Sequence, residues 1–227
     1  MGKEVFCLQG QLDFTTESRR FPPDDLPLLT ASIRLPRWDG TGGRRFDRYY
    51  AAYGRAFFSY CQNELLPRAM AALELARQNG GALPEWTVSL DTVVTLQQED
   101  LLSLYTDTVE RGDGRRLVLR RADTWDLTSG TPLPLGAFFP ADLLWKRRLL
   151  GAVAQQIRQQ QELGVALYRP DWRRAIRTAF SGDHFYLTER QLCLFYQMYA
   201  IAPPVEGIPV FPIPYDPGRG PRLPEQA

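Results

Sequence analysis

His184 is the only histidine in this chain of 227 residues, so it is the first residue to examine for catalysis near neutral pH. A triad or a general-base mechanism built on His184 would need a nucleophile, and no motif in the sequence marks one. The run Gly182-Asp183-His184 is typical of a turn that enters a strand. His184 is therefore predicted to be a structural turn residue, and the sequence predicts no catalytic residue.

The metal-binding residue types are also scattered. Cys7, Cys61 and Cys193 form no Cys-x-x-Cys pair, and the acidic residues form no calcium loop. Cys61 and Cys193 lie in apolar or helical patterns, which predicts that both are buried as small hydrophobic side chains. We expect no metal and no cofactor.

Two further patterns have both a chemical and a structural interpretation. Asp123 and Asp126 are three residues apart, but in a strand and its exit turn such carboxylates cap backbone amides. Gly-x-Gly occurs at 112–114 and 218–220, where the strand-to-helix context of a phosphate loop is missing. Residues 112–116 are instead predicted to supply positive φ angles at a hairpin tip.

Aromatic side chains occur in adjacent pairs, which could line a stacking groove for a glycan or a base. Neighbours on a helix or strand point in different directions, however, so most of these rings are expected in the core. The pairs are Tyr49-Tyr50, Phe57-Phe58, Phe138-Phe139 and Phe195-Tyr196.

Charge argues against two classes of partner. The 27 basic and 26 acidic residues leave a formal net charge of +1, too small for a long-range field that would recruit nucleic acid or an anionic membrane. The amino terminus is too polar for a signal peptide, and no run of 18 apolar residues exists. We expect no membrane insertion and a cytoplasmic chain as written, or a cell-surface one if an anchor has been removed.

The amino-terminal half predicts strands on either side of one long helix. Residues 28–35 are apolar and β-branched, as in a strand, and Pro36 should end it. Apolar residues three or four apart follow Asp47, which predicts a helix capped by that residue, and Pro67 should kink or break the helix before it ends at Gly80. Residues 86–96 alternate with period two, and 101–109 with 117–125 form a hairpin, so a three-stranded meander results.

The carboxyl-terminal half continues with helices and a second hairpin. Asp142 should open a helix over 143–161, a shorter helix should span 171–180, and 185–188 with 192–199 should pair. Residues 208–215 are extended but rich in proline, which predicts an edge strand. The fold class is thus α+β: an antiparallel sheet built from hairpins, with two or three helices packed on it.

The expected organisation is a single domain with two short flanks. Residues 1–27 contain an apolar stretch at 5–8, interpreted as an edge strand, and then a proline-rich loop. Residues 28–216 form the α+β domain, and 217–227 have the composition of a flexible tail.

Four stretches of the domain resemble a known family. They are the strand at 28–36, the helix opening Phe46-Asp47-Arg48-Tyr49-Tyr50, the segment 125–135 running into Phe138-Phe139, and the run from 185 through Tyr199-Ala200-Ile201-Ala202-Pro203 and Gly207 to Ile213-Pro214-Tyr215. The pattern resembles the extracellular domain of RsiV-type lysozyme-sensing anti-sigma factors, also found beside a peptidoglycan deacetylase catalytic domain. The resemblance implies an α+β fold and a domain that recognises lysozyme without a catalytic site of its own.

Two departures from the family pattern concern function. Where the family shows Gly-Gly-Ala-His at the hairpin tip, this chain has Gly112-Asp113-Gly114-Arg115, and it shows no transmembrane helix or sigma-binding segment. Signal transmission across a membrane is therefore not expected of this chain.

The leading hypothesis is a non-catalytic binding or sensing module that recognises lysozyme or another component of the cell envelope. Loops at the ends of the sheet would carry the binding residues. These are Arg111, Asp113, Arg115 and Arg116 at the hairpin tip, with Tyr199 and Glu206.

Two alternatives stay open. One is a cell-envelope enzyme whose carboxylates Asp91, Asp107 or Glu110 meet across the strands. The other is a cytoplasmic scaffold for protein interactions.

Overall fold

The computed structural model describes residues 10–22, 28–40, 42–81, 85–98, 100–139, 143–216, 218 and 220–223. The predicted strand at 5–8, Cys7, the predicted helix start at Asp142 and most of the predicted tail lie outside these residues. The strands are β1 (Gln11–Phe21), β2 (Leu29–Asp39), β3 (Trp86–Gln98), β4 (Leu101–Gly112), β5 (Arg115–Asp126), β6 (Thr131–Pro132), β7 (Phe185–Leu187), β8 (Gln191–Phe195) and β9 (Val210–Pro214). The α-helices are α1 (Gly43–Tyr60), α2 (Leu66–Asn79), α3 (Trp145–Glu162) and α4 (Trp172–Thr178).

The mixed α+β class is confirmed. One sheet has six strands in the order β1-β2-β3-β4-β5-β6, and a second has three in the order β7-β8-β9. By contact clustering the chain divides into two compact units. Unit 1 comprises Met1–Thr92, Thr106–Leu117 and Leu127–Thr131, and unit 2 comprises Val93–Tyr105, Val118–Asp126 and Pro132–Ala227.

Strand β1 lies in a region that the sequence predicted to be a loop. It pairs antiparallel with β2 along its whole length, from Gln11 opposite Asp39 to Phe21 opposite Leu29. Most of its side chains are exposed, so it has no apolar alternation to reveal a strand. The backbone ladder forms it, and the Phe14 ring lies 3.6 Å from the guanidinium carbon of Arg34.

The strands are largely antiparallel, as predicted, with one parallel pair that the sequence did not indicate. β2 and β3 run parallel, with Leu29 opposite Trp86 and Arg34 opposite Asp91. The connection between them contains α1 and α2, and a helical crossover of this kind joins parallel neighbours. Pro36 also does not end β2, since the pairing with β3 stops at Arg34 and a missing N–H is tolerated where one side of a strand has no partner.

Helix α1 begins earlier than predicted. Its N-cap is Gly42, whose φ of 77° is in the left-handed region, and not Asp47. The Asp47 carboxylate instead accepts a hydrogen bond from the backbone N–H of Trp38 at 2.9 Å. A π-helical turn at Cys61–Leu65 precedes α2, which places Pro67 in the first turn of α2, where a missing N–H is accommodated.

The cores of the two units are built from the predicted apolar patterns. In unit 1, α1 packs on β2, whose alternate residues are buried. In unit 2, one cluster combines the buried face of α3, residues of α4 and the three-stranded sheet; it includes Leu149, Val153, Ile157, Trp172, Phe185, Leu187, Leu194 and Phe211. Seven of the eight paired aromatic side chains are buried and only Tyr49 is half-exposed, so the prediction that most belong to the core is confirmed.

Residues at the start of the predicted tail pack within unit 2. Pro221 is buried, and the backbone N–H of Arg222 donates to the carbonyl of Phe138 at 2.9 Å. Among the described helices, none has the length and apolar character needed to cross a membrane.

Candidate functional site

The hairpin tip predicted to bind a partner is a tight, exposed turn in unit 1. Asp113 and Gly114 both have positive φ, 50° and 66°, which is the geometry of a two-residue type I′ turn. Arg111, Arg115 and Arg116 flank it with exposed side chains, and none makes an ion pair within the described residues. The turn thus places three exposed arginine side chains within two residues of its ends.

Gly112 has a different role from the predicted one. Its φ is not positive; instead, a Cβ at this position would lie 2.3 Å from Cδ2 of Trp86. The glycine is needed because the indole ring packs directly against the backbone. Gly112 therefore positions the tip.

Tyr199 and Glu206, the other predicted binding residues, belong to unit 2. Tyr199 is 52% exposed and adopts a φ of 69°, unusual for a residue with a side chain. A Glu206 carboxylate oxygen accepts a hydrogen bond from the backbone N–H of Leu167 at 2.9 Å, and the N–H of Arg169 donates to the carbonyl of Ile201 at 3.0 Å. Glu206 thus fixes the loop after α3, whereas Tyr199 presents a free face.

Two of the carboxylates proposed for an enzyme, Asp91 and Glu110, each contact a different side chain of the protein. Asp91 is exposed and lies 3.2 Å from the guanidinium of Arg34. Glu110 is buried and accepts a hydrogen bond of 2.9 Å from the Tyr60 hydroxyl. Burial, reinforced by Glu110, raises the pKa of Tyr60 to about 12, so the phenol remains a hydrogen-bond donor.

The described cysteines and the histidine have structural surroundings. Cys61 and Cys193 are buried, as predicted, and burial raises the pKa of both thiols, that of Cys61 to about 12. His184 directly precedes β7, as expected for a turn residue entering a strand, and its ring stacks on Phe195 with centroids 5.0 Å apart. Burial lowers the pKa of His184 below 6.5, so the ring is neutral at pH 7. No group of three potential metal ligands occurs within the described residues.

A groove between α3 and α4 was not predicted. It has a volume of about 670 Å³ and lies within unit 2. Five of the residues that line it are basic: Lys146, Arg147, Arg158, Arg173 and Arg177. The sequence predicted the two helices, but it could not predict the groove, because the spatial alignment of the cations depends on how the helices pack.

Fold and surfaces together define a mixed α+β protein with exposed basic surfaces. Residues 137–216 match the model of the DUF3298 family, a family of proteins of unknown function. This match covers the last β-sheet and the helices α3 and α4.

Two crystal structures of DUF3298 family proteins are similar over most of the chain. That of a member from Bacteroides fragilis has a TM-score of 0.66 and 15% identity, and covers 92% of this chain and 92% of its own. That of a protein from Pseudomonas aeruginosa PAO1 has a TM-score of 0.55 and 16% identity, and covers 92% of this chain and 91% of its own. At these identities the likeness shows the fold alone. No curated protein matches this chain.

Proposed function

We propose that this protein is a non-catalytic binding or sensing module that recognises a protein or another component of the cell envelope through the β4–β5 hairpin tip. The observation that carries the proposal is that three exposed arginine side chains, Arg111, Arg115 and Arg116, flank a type I′ turn. A tight turn fixes the backbone from which these side chains project, so little backbone entropy is lost on binding.

The chemistry of the tip favours a ligand that carries carboxylates. Guanidinium groups donate paired hydrogen bonds to carboxylate oxygens, and interfaces are enriched in arginine. Exposed Tyr199, which belongs to unit 2, is a separate candidate contact. Animal-type lysozyme is the first partner to test, because the resemblance to RsiV-type domains implies it, and cell-wall fragments are the second.

The structural roles of the carboxylates support a non-catalytic role. Asp91 is paired with Arg34, and Glu110 is buried and engaged by Tyr60. An enzyme that used either group would first have to break a contact that the fold uses.

The test is a calorimetric titration of the chain with animal-type lysozyme at moderate salt. We expect saturable binding that an Arg115→Ala, Arg116→Ala variant weakens by roughly tenfold or more, because two charged contacts are lost. The matched control is Arg44→Ala, Arg48→Ala, which removes two exposed arginine side chains from α1.

Equal weakening by the tip variant and the control would refute a role for the tip. Absence of heat at high concentration would refute lysozyme as the partner, and the same titration with soluble peptidoglycan fragments would then test the other ligand class.

A further inference from the structure

The groove between α3 and α4 combines an apolar floor with basic walls. Trp172 and Ile176 of α4 are each 3% exposed and form part of the floor together with the half-buried Leu150 and Ala154 of α3. Leu143, at one end of the groove, is fully exposed. A ligand that entered the groove would therefore remove apolar surface of Leu143, Leu150 and Ala154 from water, which is favourable, whereas Trp172 and Ile176 are already buried.

The walls carry charge of one sign. Lys146, Arg147 and Arg158 lie along α3, and Arg173 and Arg177 lie along α4. No acidic side chain is among the described residues that line the groove, and none of the five cations makes an ion pair in the described part of the chain. Lys146 and Arg173 lie over the rings of Phe180 and Trp172, at 4.5 and 4.6 Å from the ring centroids, and these contacts leave their charges unneutralised.

The spacing of the cations decides between kinds of anion. Arg147 and Arg158 are eleven residues apart on one helix, which corresponds to about 17 Å at 1.5 Å per residue. A single carboxylate or phosphate group cannot contact both ends. A segment with several carboxylates along its length can do so, and a helix of about 12 residues spans the same distance.

We propose that the α3–α4 groove binds an acidic amphipathic helix of a partner protein, with apolar side chains on the floor and carboxylates against the two basic walls. Helix-in-groove recognition of this kind uses apolar residues at helical spacing as anchors. The residues of the proposed site do not include the hairpin tip, and the proposal does not depend on the function proposed above.

Gly151 provides a direct test of occupancy. It lines the groove from α3, is exposed, and a Cβ at this position would meet no atom within 4 Å. A Gly151→Leu substitution therefore places its Cβ without a clash, extends a side chain from a position that lines the groove and raises helix propensity, so the variant is expected to fold. Gln159→Leu is the matched control, because it places the same side chain on the exposed side of α3 outside the groove.

The probe is a synthetic peptide of about 18 residues, long enough to form helix, with leucine at helical spacing and glutamate on both flanks. We expect saturable binding, measured by calorimetry, that weakens with rising salt. Gly151→Leu and the charge reversal Arg147→Glu, Arg173→Glu should each weaken it roughly tenfold or more, whereas Gln159→Leu and the tip variant Arg115→Ala, Arg116→Ala should leave it unchanged.

Three results would overturn the proposal: no binding of the peptide, unchanged binding by Gly151→Leu, or equal binding of a scrambled peptide of the same composition. Phosphatidylglycerol vesicles form a further arm. Binding of vesicles that Gly151→Leu abolishes, together with no binding of the peptide, would assign the groove to lipid and overturn a helical partner.

Discussion

The hydroxyl of Ser103 accepts a hydrogen bond from a backbone amide of the short strand β7, in unit 2. The antiparallel register places Leu187 of β7 opposite Leu192 of β8, and the next residue, Thr188, donates its N–H to the carbonyl of Gln191 at 2.9 Å. Since bonded and non-bonded pairs alternate in such a ladder, the Leu187 N–H points away from β8. It donates to Ser103 Oγ at 2.8 Å, and Ser103 Oγ also lies 2.8 Å from Thr124 Oγ1 of β5.

Replacing Ser103 by alanine should therefore destabilise the protein strongly. Ser103 and Leu187 are 0% exposed and Thr124 is 1% exposed, so water cannot replace the lost hydroxyl without rearrangement. A buried donor without an acceptor costs about 1–3 kcal/mol, and the Thr124 hydroxyl also loses its partner. We expect a decrease of about 2–4 kcal/mol in the free energy of unfolding of the segment that contains β7.

Two measurements check this expectation. Urea denaturation should show a lower midpoint for Ser103→Ala, and hydrogen exchange should show faster exchange of the Leu187 amide than in the unsubstituted protein. Ser129→Ala is the control, because the Ser129 hydroxyl is exposed and should change stability by less than about 0.5 kcal/mol. A Ser103→Ala variant with the stability of Ser129→Ala and unchanged Leu187 protection would refute the reasoning.

Three further predictions concern other buried or strained positions. Gly42→Ala should lower the free energy of unfolding, measured by urea denaturation, by about 2–4 kcal/mol, because its φ is 77° and a Cβ would lie 2.0 Å from a carbonyl oxygen. Gly114→Ala, with a φ of 66° and no atom within 4 Å of a Cβ, should lower it by only about 1–2 kcal/mol. Equal losses for the two variants would contradict the clash at Gly42. Because burial lowers the pKa of His184 in the folded state, the unfolded chain takes up the proton first as the pH falls, so the stability is full above pH 6.5 and decreases between pH 6.5 and the lowered pKa. The melting temperature of His184→Phe should depend less on pH over that range, and a pH profile identical to that of the unsubstituted protein would contradict the effect. Tyr60→Phe should lower the free energy of unfolding by about 1–3 kcal/mol, since buried Glu110 loses a donor, and a loss below about 0.5 kcal/mol would show that water replaces the phenol.

Elements whose apolar residues repeat at a fixed period could be predicted from the sequence. The alternation in β3 and the helical spacing in α1 and α3 each mark a face that packs on a core, and that signal is local. The β4–β5 hairpin was also predicted, because the Gly-x-Gly segment at 112–114 lies between two strand-like runs and favours a hairpin tip. Where local chemistry determines the element, sequence and structure agree.

Elements held by distant partners could not be predicted in the same way. β1 has few apolar residues and owes its strand conformation to pairing with β2, and the parallel pairing of β2 with β3 depends on the path of the chain between them. Single contacts follow the same rule: Tyr60 meets Glu110 fifty residues away, and Leu187 meets Ser103 eighty-four residues away. No periodicity within one element encodes such a contact.

The α3–α4 groove shows why net charge is a poor guide to local recognition. The formal charge of +1 sums over 227 residues, yet residues 143–180 contain eight basic and only two acidic residues. Neither acidic residue, Glu162 or Asp171, lines the groove. Because the field that a ligand experiences is set by charges within about one Debye length, roughly 10 Å in ordinary buffers, the balancing acidic residues farther away contribute little. A protein that is almost neutral overall can therefore hold a strongly anion-selective surface, and salt dependence of peptide binding, rather than isoelectric point, is the property that reports it.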